Sequence, residues 1–145
     1  MGEIVFDDAE YPLVVVRFDG GFSDDAFFRY LGQLDLMTDR AFRDRQRVSF
    51  VMDARATVTP QPSQRRAMGD WMKQNQQAAA ATCAGFAFVI PSAIVRGALT
   101  AILWISPMPA PHALFGEMGP ALTWAREQLR DAQAVPPDTR ASWPS

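Results

Sequence analysis

Apolar positions along the chain change their spacing several times, and each change marks an element. Glu3 to Phe6 is a short strand candidate. Pro12 to Phe18 (PLVVVRF) is a second, rich in β-branched residues, with a proline tolerated at its start. Asp7-Asp8-Ala9-Glu10 between them reads as a turn, so the two are expected to form a hairpin, and Asp19-Gly20-Gly21 breaks the second strand. From Ser23 the spacing becomes helical. Phe27, Phe28, Leu31, Leu34 and Met37 share a face, Ser23 is a good N-cap, and Asp24 and Asp25 suit the positive end of a helix dipole, which predicts a helix over 24–41.

Val48 to Asp53 forms the third strand candidate. Pro60 or Pro62 opens a long helix that reaches about Ala81, with Met68, Trp71, Met72, Asn75 and Ala79 on one face and Arg65, Arg66 and Lys73 elsewhere. Ala84 to Ile90 (AGFAFVI) is apolar almost without interruption, as suits a strand covered on both faces. Pro91-Ser92 starts a third helix, Ala93 to about Ile105. Residues 112–115 (HALF) make a short fifth strand, and 117–130 a last amphipathic helix carrying Met118, Leu122, Trp124 and Leu129. From Asp131 the chain is proline-rich and loses its pattern, so 1–130 is expected to be the domain and 131–145 a disordered tail. The order β-β-α-β-α-β-α-β-α predicts a single α/β domain. Its sheet is mixed, parallel after the first hairpin, with helices packed on it.

The third helix does not fit a sheet-covering role. The stretch "SAIVRGALTAILWISPMP" is apolar almost all round, whereas a helix on a small sheet should turn a polar stripe to water. Arg96 and Thr100 are its strongly polar residues. Ala93, Gly97 and Ala101 form a small-residue ridge, and Val95, Leu99, Ile102 and Trp104 fill the other directions. The prolines of Pro107-Met108-Pro109-Ala110-Pro111 then stiffen the loop. Either the chain itself covers this helix, or it is an interface. The candidate interface is Arg96, Leu99, Thr100, Ile102, Leu103, Trp104 and Met108. Self-association as a two-fold homodimer is the favoured reading, with a lipid or other apolar ligand, or internal burial, as the competitors.

Composition adds exclusions more than assignments. The 145 residues fit one domain, and 48% hydrophobic with 21% charged residues is ordinary for a globular chain. A formal charge of −2 and a pI near 5.3 argue against nucleic acid as a partner. Thirteen arginines stand against the single Lys73. The lone Cys83 has no internal disulfide partner and lies between a helix and a buried strand, where an inert core thiol is expected. No basic segment followed by an apolar run opens the chain, and the longest apolar window is too short to span a bilayer. A cytoplasmic location is the expectation. His112, the one histidine, sits among proline, alanine and leucine, away from any Gly-x-Ser-x-Gly turn. No metal-ligand spacing, phosphate-binding glycine loop or dinucleotide fingerprint is present, so no cofactor is implied.

Three local patterns resemble a known family: the opening "PLVVVRFDGGFSDDAFFRYL", the apolar strand ending in Asp, "FVMDAR", and the close "HALFGEMGPALTWAREQL". With the element order, they make residues 3 to about 130 resemble a STAS-type domain, the fold of bacterial anti-sigma factor antagonists. More narrowly, the chain resembles the SpoIIAA-like branch grouped with lipid-carrying SEC14-type folds. The resemblance implies a non-enzymatic regulatory or scaffolding module that binds protein partners, or a carrier of an apolar ligand. Regulatory members carry a phosphorylatable serine after the Asp that matches Asp53. Here that position is Ala54, so the phosphoswitch does not transfer to it. Thr57 and Thr59 lie nearby as alternative acceptors or plain loop residues. Asp53 and Arg55, two apart, are expected either to pair locally and fix the corner or to form a polar site with Thr57 and Thr59. The polar-site reading leaves open an enzyme built on Asp53 and Arg55, since crevices at that strand edge are where open α/β sheets bind ligands.

Overall fold

The structure, a computed structural model, describes residues 3–57, 61–105, 108 and 110–133. Ten elements follow in order: β1 (Glu3–Asp7), β2 (Leu13–Gly20), α1 (Asp24–Arg43), β3 (Val48–Thr57), α2 (Pro62–Gln74), α3 (Gln76–Thr82), β4 (Cys83–Val89), α4 (Ala93–Ile105), β5 (His112–Phe115) and α5 (Met118–Gln133). Among the described residues they build one sheet in the order β1-β2-β3-β4-β5, with β1 antiparallel to β2 and the remaining pairs parallel. The expected mixed sheet is present, with its strands in chain order. Because each crossover steps the same way along the sheet, right-handed connections put α1, α2–α3 and α4 on one face. The last helix, α5, returns to the other.

Strand alternation divides the core accordingly. Val14, Val16, Phe50, Met52 and Phe86 point to one face and pack with Phe27, Tyr30, Leu31 and Leu34 of α1. Leu13, Val51, Ala87 and Val89 point to the other and pack with Ala121, Ala125 and Leu129 of α5. Strand β3 is therefore covered on both sides, and its Phe50 ring stacks on Phe86 at 5.2 Å. Ser23 caps α1 as expected, its Oγ accepting from the Ala26 N–H at 3.1 Å. That helix ends in a Schellman arrangement: the Gln46 N–H donates to the Ala41 carbonyl and the Arg45 N–H to the Phe42 carbonyl, with Arg45 in the left-handed region at φ 55°.

Four differences from the sequence expectation bear on the architecture. Asp19 and Gly20 do not break β2: after a register shift past Arg17 they pair with Ala56 and Thr57. Strand β3 consequently continues through Asp53 to Thr57, although Ala54-Arg55-Ala56-Thr57 carries no apolar signal. The long helix is two helices. Asn75 leaves helical geometry at φ −111° and ψ 18°, and its side-chain amide joins its backbone N–H on the Trp71 carbonyl at 2.9 Å. Helix α5 carries on through Asp131, Ala132 and Gln133, with Ala132 against the second core cluster, so the first three residues of the expected tail are helical. Residues 134–145 lie outside the described residues.

The Ser49 hydroxyl is a small flaw in the core. Ser49 is fully buried in β3, and its Oγ has no hydrogen-bond partner among the described residues. An unpaired buried hydroxyl keeps its desolvation cost without return. Ser49→Ala is therefore expected to leave thermal stability unchanged or raise it, by up to about 1 kcal/mol in denaturant unfolding.

Candidate functional site

Strand β4 delivers the chain into Pro91-Ser92, where the Ser92 Oγ accepts from the Val95 N–H at 3.3 Å and starts α4. The one charged residue of this helix, Arg96, folds back. Its guanidinium donates to the carbonyls of Ile90 at 2.7 Å and Pro91 at 3.0 Å. Thr100, one turn on, donates its hydroxyl to the Arg96 carbonyl at 2.9 Å. Leu103 is buried and Leu99 half-buried, so Arg96, Leu99 and Leu103, at spacings of three and four, form the inward stripe.

The opposite side of α4 faces out. Ala93, Gly97 and Ala101 are exposed, and a Cβ added at Gly97 meets no atom of the described residues within 4 Å. Beside this ridge, Ile94 is 86% and Trp104 84% exposed, and Val95 is exposed as well. Side chains of this size are ordinarily buried, and two of them flank one neutral ridge.

This placement revises the candidate interface. Trp104 belongs to an outward face as expected. Leu103 does not, because it packs inward, and Leu99 and Met108 are half-buried, Met108 against the first core cluster. Arg96 turns its Nη1 onto two of the chain's own carbonyls, and Thr100 donates its hydroxyl to a third. The side chain of Ile102 lies outside the described residues. Ile94 and Val95 were missed. Helical spacing puts Ile94 on the far side only once Leu99 and Leu103 are known to define the inner stripe, which the sequence did not show.

Asp53 and Arg55 come together at the C-terminal end of the parallel strands, the end from which α4 departs. Asp53 lies opposite Arg17 of β2 and Val89, the last residue of β4, and is 4% exposed. Both carboxylate oxygens are taken by Arg55, whose Nε donates to Oδ1 at 2.8 Å, its second nitrogen to Oδ2 at 2.9 Å, and its backbone N–H to Oδ1 at 3.2 Å. Burial alone would raise the Asp53 pKa, but these bonds, with the charges of Arg55 and Arg17, outweigh it and hold the carboxyl below its ordinary value. A carboxylate so occupied and so acidic is a poor proton acceptor at neutral pH. The expected local ion pair is what the geometry contains. Thr57 lies in β3 with its side chain outside the described residues, and Thr59 is outside them altogether.

A pH dependence follows. A depressed aspartate pKa stabilises the fold above the unfolded value, and that contribution is lost as pH falls through the lower native one. The stability advantage of the wild type over Asp53→Asn is expected to be constant near neutrality and to shrink once pH drops below about 3.8, measured by denaturant unfolding at stepped pH. An unchanged difference down to pH 2 would contradict the pairing.

Other candidate chemistry is dispersed. His112 is exposed on β5, its Nδ1 3.5 Å from the Ala110 carbonyl oxygen. Cys83 is buried, and burial pushes its thiol up to about 12. Among the described residues no three or more His, Cys, Asp or Glu side chains gather as a metal site would need. An open cleft of about 250 Å³ lies between β1 and α1, lined by Phe6, Asp8, Gln33, Leu36 and Met37. It is at the opposite sheet edge from α4, and its Asp8 is paired with Arg40. No helix among the described residues is long and apolar enough to cross a membrane.

Comparison with protein-family models gives no match, and comparison with curated proteins gives none. Among solved structures, the chain is similar to the crystal structure of an uncharacterized protein of the DUF3478 family, with a SpoIIAA-like fold, from Shewanella loihica PV-4. The TM-score is 0.60 at 10% identity, over 86% of this chain and 95% of that one. At that identity the likeness speaks for the fold alone. Taken with the strand order, the crossovers and the placement of α5, it identifies the architecture of this chain as a SpoIIAA-like α/β fold.

Proposed function

We propose that the chain is a non-catalytic interaction module, regulatory or scaffolding in role, that pairs with a second copy of itself through the outward face of α4. The observation that carries this reading is the exposure of Ile94 and Trp104 on either side of the Ala93, Gly97, Ala101 ridge. Water contact at such a face is unfavourable by roughly 25 cal/mol per Å², and pairing removes it. No charged side chain of α4 stands on the outward face to oppose the approach of a like surface, since Arg96 lies on the inward stripe with its guanidinium on backbone carbonyls. The Asp53 carboxylate, closed off by Arg55, supports the non-catalytic half of the reading.

Amide hydrogen exchange at several protein concentrations tests it. Protection over 93–105 is expected to rise with concentration, while the sheet stays constant. Concentration-independent exchange there would contradict the pairing.

A second reading, a carrier of an apolar ligand, is favoured by a different observation. Phe88 and Leu114 are only half-buried on the sheet face over which α4 crosses. A co-purified lipid in native mass spectra would support it. Spectra holding the bare chain mass would remove it.

A further inference from the structure

We infer that the two copies of α4 pair antiparallel about a two-fold axis, with Gly97 of each against Ala101 of the other and Ile94 of each against Trp104 of the other. This deepens the pairing proposed above and rests on it.

The inference follows from where large and small residues sit on the outward face. Gly97 and Ala101 occupy its middle, one turn apart, and admit a close backbone approach. Ile94 lies about a turn before the glycine and Trp104 about a turn after the alanine. The pattern is small in the centre and bulky at both ends, with near mirror spacing about the midpoint. Running the second helix the opposite way brings ridge onto ridge and places each indole beside the other copy's isoleucine. A parallel arrangement instead stacks the two indoles at one end and leaves the thinner isoleucines facing each other at the other, so the helices splay. Opposed helix dipoles also favour the antiparallel choice.

A second copy is the occupant that fits this face. The outward side of α4 carries no charged side chain for a charged partner to read: Arg96, the one charge of the helix, lies on the inward stripe with its guanidinium bonded to the Ile90 and Pro91 carbonyls. Its residues complement themselves under a two-fold rotation, as an isologous contact requires. The apolar side chains of the inner stripe are turned away, so the face is bounded to one side of the helix.

Disulfide trapping tests the register. Gly97→Cys and Ala101→Cys chains, one of them tagged for mass, are mixed in equal amounts and oxidised mildly. The native Cys83 is buried and serves as an internal control. The mixed Gly97→Cys with Ala101→Cys disulfide is expected to exceed both like-with-like disulfides severalfold, and Ile94→Cys mixed with Trp104→Cys is expected to behave the same way. Like-with-like products in excess would overturn the antiparallel register while leaving the pairing intact. A dimer by light scattering with no cross-link at any of these positions would move the contact to another surface. A monomer in light scattering would remove the pairing and the register together.

Discussion

Trp104→Glu is expected to abolish self-association and leave the fold intact. Trp104 is 84% exposed in the single chain, so its replacement removes little internal contact. In the pair, each copy contributes one indole, and each substitution is felt twice. Truncating a buried interfacial tryptophan commonly costs 2 kcal/mol or more, and a carboxylate brought against apolar surface adds to that. The combined loss should weaken the dimer by roughly a hundredfold or more. Ile94→Asp should act alike. The check is light scattering beside far-ultraviolet circular dichroism: halved mass with an unchanged spectrum is expected, and a melting temperature lowered only by the stabilisation that pairing gave and no longer dependent on protein concentration. An undiminished mass would place the interface away from α4.

The largest effect on stability is expected at Gly85. This glycine lies in β4 beneath α5, where an added Cβ would sit 2.9 Å from Cη2 and 3.0 Å from Cζ3 of Trp124, and 3.2 Å from Cγ of Gln128. The indole cannot simply withdraw, since its ring lies 6.1 Å from that of Phe115 and α5 holds it against the sheet. Gly85→Ala is therefore expected to cost about 1–3 kcal/mol, the usual penalty for overpacking. For a domain near this size that lowers the melting temperature by about 2–4 °C for each kcal/mol. Shortening the opposing ring should relieve the clash, so Gly85→Ala combined with Trp124→Leu should lose less than the two single changes added together. Strict additivity would show that the glycine serves something other than the approach of α5.

Much of this architecture was legible in the chain. Ser23 announced the start of α1 because a hydroxyl before an apolar-periodic run has a defined partner two or three residues on, and HALF marked β5 at both ends. The extension of β3 was not legible. Ala54 to Thr57 has no strand pattern, and what makes it a strand is pairing with Asp19 and Gly20 more than thirty residues earlier. The break at Asn75 hid for the opposite reason: the alanine-rich stretch after it has high helix propensity, and the boundary is a local change of backbone angle at one residue. At α4 the composition showed too many apolar residues for a water-facing helix. It did not show which of them turn outward. That depended on Arg96 folding back to two carbonyls and on Leu103 going inward, both set by the path of the chain after β4. Asp53 and Arg55 were legible as a pair, since two residues on one side of a strand meet whatever the rest of the fold does.

A 13-residue helix is about 20 Å long, and its single face is smaller than a standard protein interface. The pairing is accordingly expected at micromolar rather than nanomolar concentration. Sedimentation equilibrium of the wild-type chain tests the claim that α4 meets a second copy. The mass should rise from 16.1 kDa toward twice that value as concentration increases through the micromolar range. A mass fixed at 16.1 kDa across that range would contradict it.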